Sequence, residues 1–310
     1  MKKLLLLLIA LSGFLFAITP IVPIPLHVKV NKQKALLGEK LFMDPILSSD
    51  KTVSCLSCHN IFTAGGADKR RFSLGVGGQK DNIHSPTVLN AVYNFKQFWN
   101  GRAENLAQQV NGPLHNPVEM NMTDSLIEKR LNADKYYKKL FYKVYKTRYI
   151  TYKEVTDAIV TFEDALTTPN CKFDRYLRGK ATLSKQQMRG YKDFKHLGCI
   201  TCHNGINIGG NMMQKAGIFH TVFEKKKYPD LYSITKNAHF INVYKVPTLR
   251  NVALRTPYFH NGSAKTLYNA VMDMGYYQLG TRLSKNQVDD IIAFLKTLTG
   301  QRPVILGETP

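Results

Sequence analysis

Cys55-Leu56-Ser57-Cys58-His59-Asn60 recurs as Cys199-Ile200-Thr201-Cys202-His203-Asn204, and in both copies a glycine pair follows at the same offset, Gly65-Gly66 and Gly209-Gly210. Two thiols two residues apart, with an imidazole directly after, have the spacing at which the porphyrin vinyl groups become thioethers while the adjacent imidazole reaches the iron. Two matches with shared flanks point to a duplicated domain and two covalently bound c-type haems, with Cys55, Cys58, Cys199 and Cys202 as attachment points and His59 and His203 as iron ligands. The rival metal site, a zinc held by all four thiols, leaves both histidines unused and suits an oxidising compartment poorly.

Around the motifs the local signals are helical. Stretches 34–42 and 184–197 precede the two copies, and the second opens with Ser184 and Gln187 in capping-box spacing and closes at Gly198. Thr151 with Glu154 starts an amphipathic run through Val155, Ile159, Phe162 and Leu166 that Pro169 ends, and Ser284 with Gln287 starts another through Val288, Ile291, Ile292 and Leu295 that Gly300 stops. Residues 134–146 form a Tyr- and Lys-rich helix whose aromatics read as core. No alternation of period two persists over strand length. The pattern predicts a mainly α protein of two cytochrome c-like haem domains with long loops. The boundary falls within 170–182, dividing the chain into 18–176 and 177–310, with the last residues able to pack back on the N-terminal domain.

Composition and the N-terminus narrow the setting. The chain has 310 residues, 44% of them hydrophobic, enough for two ordinary cores. Met1-Lys2-Lys3, the apolar run Leu4 to Leu11 and the small residue Ala17 read as a signal peptide, 1–17, cleaved near Ala17. Ser12-Gly13 breaks the apolar run well short of the ~20 residues a spanning helix needs, so the reading is an exported, periplasmic protein rather than an integral membrane one. The 43 Lys and Arg against 22 Asp and Glu, a formal charge of +21, fit a nucleic acid, an anionic surface or an acidic protein partner. Export removes nucleic acid. Cys171, the fifth cysteine, has no partner and reads as a buried, inert thiol.

A methionine thioether on the far side of an iron raises its potential, whereas an open position admits substrate. Met212, Met213, Met272 and Met274 follow the second motif, and Met274, just before Gly275, has the position best suited to a loop ligand.

Further segments carry a resemblance. Leu37-Gly38-Glu39-Lys40-Leu41-Phe42, Gly65 to Asp68, Pro86-Thr87-Val88-Leu89-Asn90, Gln97-Phe98-Trp99-Asn100-Gly101-Arg102, Val118-Glu119-Met120, Leu249-Arg250-Asn251, Pro257-Tyr258-Phe259-His260 and Met274-Gly275 are similar to segments of the bacterial dihaem cytochrome c peroxidases. The resemblance spans essentially the whole mature chain. It implies reduction of hydrogen peroxide with electrons from a small cytochrome c or similar donor, commonly in a homodimer. It implies that the haem of Cys199, Cys202, His203 and Met274 receives the electrons. The haem of Cys55, Cys58 and His59 then binds peroxide, Trp99 lies between the two, and Glu119 and Gln109 line the distal pocket. The chemistry of these residue types agrees. Splitting iron-bound peroxide requires a proton moved from the near to the leaving oxygen, work for a single carboxylate such as Glu119, and Gln109 can hydrogen-bond peroxide without carrying charge.

The chain departs from the family at two places. Where many members have a histidine as removable sixth ligand of the peroxidatic iron, this sequence has Gly75-Val76-Gly77, which leaves that position open without reductive activation or filled by His84. His84 in turn replaces an asparagine near an interdomain calcium, whose remaining ligands would be the carbonyls of Arg255 and Pro257, so calcium stays an open expectation. His260 reads as an interface or propionate contact. Two other functions stay in view: a non-catalytic dihaem electron-transfer protein, which has no need of Glu119 and Gln109, and a haem enzyme modifying a partner protein, whose relatives place a tyrosine where Met274 stands.

Overall fold

The computed structural model describes residues 20–222 and 227–307, so the signal peptide expected at 1–17 lies outside the described residues. The first half of the chain carries α1 (Lys32–Met43), α2 (Cys55–Cys58), α3 (Leu106–Gln109), α4 (Asn111–His115), α5 (Asp124–Ala133), α6 (Lys135–Tyr145) and α7 (Tyr152–Ala165). The second half carries α8 (Lys172–Leu177), α9 (Lys185–His196), α10 (Tyr232–Thr235), α11 (Leu267–Asp273) and α12 (Lys285–Lys296). Among the described residues the remainder is loop, single 3₁₀ turns, one π-type turn and one small sheet, so the fold is mainly α.

All three capping boxes predicted from the sequence form: Thr151 with Glu154, Ser184 with Gln187 and Ser284 with Gln287. Each pairs groups three residues apart, which the helix itself brings together. One helix ends earlier than its apolar pattern suggests. Leu166 lies outside α7 as its C-cap, its N–H turned back to the Glu163 carbonyl and its own carbonyl accepting the N–H of Asn90, whereas α12 holds its whole apolar run through Leu295. Helix α6 splits its aromatics: Tyr137 and Phe141 are buried, while Tyr136 and Tyr142 face solvent. The paired strands β1 (Met213–Lys215) and β2 (Val243–Lys245) are antiparallel, Met213 opposite Lys245. At three residues each they are too short to display an alternation.

Each half is organised around one helix crossing, α1 on α7 and α9 on α12. Both crossings depend on a glycine. A β-carbon on Gly38 would lie 1.9 Å from the Ala158 carbonyl oxygen, and one on Gly190 would lie 1.8 Å from that of Asp290. The backbones approach too closely for any side chain, and the same device in both halves is the tertiary imprint of the duplication. One core gathers Leu41, Leu114, Ile127, Phe141 and Ile159, and the other Phe173, Tyr191, Phe194, Val288 and Phe294.

The halves are tied together at their ends and at a polar junction. Near the N-terminus, Ile21 packs in the second core and pairs with Gly205, while near the C-terminus Ile305 and Leu306 pack with Ala35, Phe42 and Phe162. Between them the buried Thr168 hydroxyl accepts from both Asn90 and Asn251 Nδ2 at 2.8 Å, and its N–H donates to Asn90 Oδ1 at 2.8 Å. Gly300 donates to Asn251 Oδ1 in the equivalent way. Both asparagines have positive φ, 61° and 58°, a conformation Asn tolerates better than most residues. Arg250 is fully buried against Asp174 at 2.9 Å and also holds the carbonyls of Ile206 and Val22.

Candidate active site

Two cavities open beside the two Cys-His motifs. The first, about 380 Å³, is lined by His59, Gln109, Pro113, Asn116, Glu119, Arg102, Asp81 and Glu163 among others. The second, about 220 Å³, is predominantly apolar and is lined by Cys199, Cys202, His203 and Met274. Ser85, Pro86, Thr87 and Trp99 line both, so this strip is the wall between them.

Glu119 reaches the first cavity because a tight loop after α4 holds it there. Asn116 Oδ1 accepts the Val118 N–H, the Glu119 N–H donates to the Asn116 carbonyl, and Asn116 Nδ2 donates to Glu119 Oε1 at 2.6 Å. Met120, next in sequence, is buried in the core and anchors the loop, leaving the carboxyl to point the other way. Burial, then the negative charge of Asp81, raise the Glu119 pKa above its ordinary value, against the Asn116 hydrogen bond and the Arg102 charge. Gln109, at the end of α3, faces the same space. Val76 is buried beside this loop, its N–H donating to the Glu119 carbonyl at 2.9 Å.

Trp99 is 9% exposed, and its indole N–H donates to the His84 carbonyl at 2.7 Å while its own carbonyl accepts the Lys245 N–H at 2.7 Å. His260 meets it edge-on at 6.1 Å and stacks on Tyr244 at 4.0 Å. Aromatic rings therefore fill the partition.

In the second cavity His203 is half-buried, its pKa pushed down to about 4 by desolvation, so the imidazole is neutral. Its Nδ1 faces the Ile208 carbonyl at 3.4 Å, which favours the tautomer with a free Nε2 lone pair. Burial lowers His59 in the same sense. Met274 begins a π-type turn directly after α11 and is the one of the four candidate methionines that lines this cavity. Met272 packs on the core, and Met213 lies on β1.

The family model for di-haem cytochrome c peroxidase matches residues 32–182, and that for cytochrome c matches residues 187–299. The cytochrome c551 peroxidase of Nitrosomonas europaea is 43% identical over 95% of this chain and 88% of its own length. This chain belongs to the dihaem cytochrome c peroxidase family. The cytochrome c551 peroxidase of Pseudomonas aeruginosa is 40% identical over 88% of this chain and 81% of its own. A crystal structure of a MauG-like protein associated with microbial copper homeostasis superposes with a TM-score of 0.80 at 25% identity, covering 91% of this chain and 93% of that one. Members of the family are oxidoreductases acting on hydrogen peroxide, and they carry two c-type haems.

The residues present fit two such groups. All four motif cysteines are free thiols, each pair runs directly into a half-buried histidine whose pKa desolvation lowers, and each histidine lines a cavity. They do not fit calcium. His84, Arg255 and Pro257 line the second cavity together with Lys215 and Lys245, so three cations and no carboxylate line the space to which the resemblance assigns the metal. His84 Nδ1 is engaged with the Arg71 carbonyl at 3.2 Å. Cys171 is buried and caps α8 by accepting the Asp174 N–H, with its thiol pushed up to about 11 by burial.

Sequence reasoning missed Arg102, Asp81, Asn116 and Glu163. Asn116 stood three residues before Glu119, a readable Asx-turn spacing. Arg102 lay inside a quoted motif without a role; its guanidinium lies 3.3 Å over the Phe98 ring. Asp81 and Glu163 carried no local signal, since a fold contact alone brings them to the cavity.

Proposed function

We propose that this protein is an exported, periplasmic dihaem peroxidase that reduces hydrogen peroxide to two waters with two electrons from a small cytochrome c or similar donor. Residues 18–176 form the peroxidatic haem domain and 177–310 the electron-receiving one, with two copies pairing as a homodimer. The observation that carries the reading is the cavity shared by His59, Glu119 and Gln109, separated from the Cys199–Cys202–His203–Met274 cavity by Trp99.

The haem bound at Cys55 and Cys58 would supply the iron that binds peroxide, and its partner at Cys199 and Cys202 a store for one electron. The protein's part is to move protons and fix positions. Glu119, as carboxylate, takes the proton from the near oxygen of peroxide and returns it to the leaving oxygen, while solvent supplies the two further protons that the two-electron reduction consumes. Asn116 holds Glu119 in place, Gln109 orients the substrate, and Arg102 is placed to favour charge on Glu119. Trp99 packs the partition and shortens the gap electrons cross. Val76, an alkyl group that cannot ligate, leaves the peroxide position accessible.

Steady-state oxidation of a reduced cytochrome c by peroxide tests this, comparing fully oxidised enzyme with enzyme half-reduced beforehand. Equal rates and a high-spin component in the oxidised spectrum are expected. Strict dependence on half-reduction together with a purely low-spin spectrum would defeat the open-site reading, and absence of turnover in both states would defeat the peroxidase.

A further inference from the structure

Lys245 is buried and Arg255 half-buried in the wall of the second cavity, and no acidic side chain lines that cavity. Neither has a carboxylate partner among the described residues. Arg255 gives one Nη2 hydrogen bond to the Thr248 carbonyl, and its Nε is buried with no partner at all. The backbone of Lys245 is held on both sides, by pairing with Met213 across the sheet and by its N–H on the Trp99 carbonyl, so its side chain springs from a fixed point. Burial pushes the Lys245 ammonium down to about 8, with the Arg255 charge adding to the effect, and burial pushes the guanidinium down to about 10. Two like charges in a desolvated space destabilise the fold unless an anion neutralises them.

We propose that Lys245 and Arg255 form a carboxylate-binding site whose ligands are the two propionates of the haem attached at Cys199 and Cys202. The site rests on the reading that this motif carries haem. A cavity flanked by two thiols and a free imidazole on one side needs the acidic edge of the group to end somewhere, and of the three cations that line it Lys245 and Arg255 are the ones withdrawn from solvent, Lys215 being exposed. Charge balance then does here what a divalent cation would do elsewhere: the protein's own ammonium and guanidinium neutralise the acidic edge, and calcium is repelled rather than bound. Because the ferric haem carries one more positive charge than the ferrous, neighbouring cations favour reduction. The pair therefore helps set this haem as the one that electrons reach first.

The test is a spectroelectrochemical titration of the holoprotein, with covalent haem counted by pyridine haemochrome. Lys245→Met and Arg255→Met are each expected to shift the reduction equilibrium of the C-terminal haem about tenfold toward ferric, 59 mV for a one-electron couple, and to leave the N-terminal haem unchanged. Arg255→Lys, which keeps the charge in a smaller side chain, is expected to stay near the unaltered potential, separating charge from packing. Added calcium or chelator is expected to move neither potential, and added phosphate or acetate to move neither, because the site is filled by the haem's own carboxylates. Unaltered potentials in both methionine variants, with both haems present, would overturn the proposal, as would a calcium- or acetate-dependent potential in the unaltered protein. A count of one haem in the unaltered protein would overturn the haem reading, and this site with it.

Discussion

Replacing Glu119 by glutamine separates its proton chemistry from its place in the structure. The two side chains are isosteric, and a glutamine Oε1 can still accept the 2.6 Å hydrogen bond from Asn116, so the loop anchored by Met120 should keep its shape. What disappears is the ability to take a proton. General acid–base groups contribute ~10²–10⁴-fold, about 3–5 kcal/mol of transition-state stabilisation, and with geometry preserved the upper half of that range is expected in kcat/KM for peroxide. Haem content, spectra and reduction potentials should be unchanged. The pH profile adds an independent check. The carboxylate form is the base, so activity falls as pH drops through the Glu119 pKa, which burial and Asp81 hold above the ordinary 4.5. Asp81→Asn removes the like charge and should move that acid limb to lower pH, whereas Arg102→Met removes the opposing cation and should move it higher. Stopped-flow peroxide reduction at a series of pH values reads both. Undiminished kcat/KM in Glu119→Gln, or an acid limb that moves upward in Asp81→Asn, would refute the assignment.

Three other outcomes follow from the packing. Arg250→Met leaves Asp174 buried and unpaired, with Oδ2 already lacking a partner, and should lower stability by roughly 3–5 kcal/mol in denaturant unfolding, while the double change Arg250→Met, Asp174→Leu recovers most of it. Gly190→Ala forces α9 off α12 against a backbone carbonyl 1.8 Å from the new β-carbon, and a loss of about 1–3 kcal/mol with a perturbed C-terminal haem spectrum is expected; an unaltered unfolding midpoint would contradict the crossing. Glu163 is buried, its Oε2 has no partner, and burial followed by the Asp164 charge pushes it up to about 8. The folded chain then keeps a proton that the unfolded chain releases from about pH 4.5 upward, so stability falls with rising pH across that window. Glu163→Gln should flatten the dependence in chemical denaturation at pH 5, 7 and 9, and an equally steep slope in the variant would count against it.

Much of this protein is local chemistry and could be read without coordinates. The haem motifs are five consecutive residues each, and every capping box joins groups three apart, so the covalent chain alone brings their partners within reach. Glu119 was legible for a related reason, flanked as it is by an apolar residue that had to go inward. One helix end was less legible: Leu166, read as part of α7, is its C-cap and gives its carbonyl to Asn90, far away in sequence. The sequence singled out Met274 from Met212, Met213 and Met272 by its place before Gly275, but only the turn after α11 puts it on the cavity wall. The same holds for Asp81 and Glu163 in the first cavity, and for Lys245 and Arg255 in the second. A charge on a polar stretch of chain reads as a solvated face until the fold removes the water, and burial is a property of the folded chain as a whole. The repeated motif therefore establishes which chemistry the chain can bind, while the packing of its two halves establishes which side chains meet it, across a wall built on the single tryptophan.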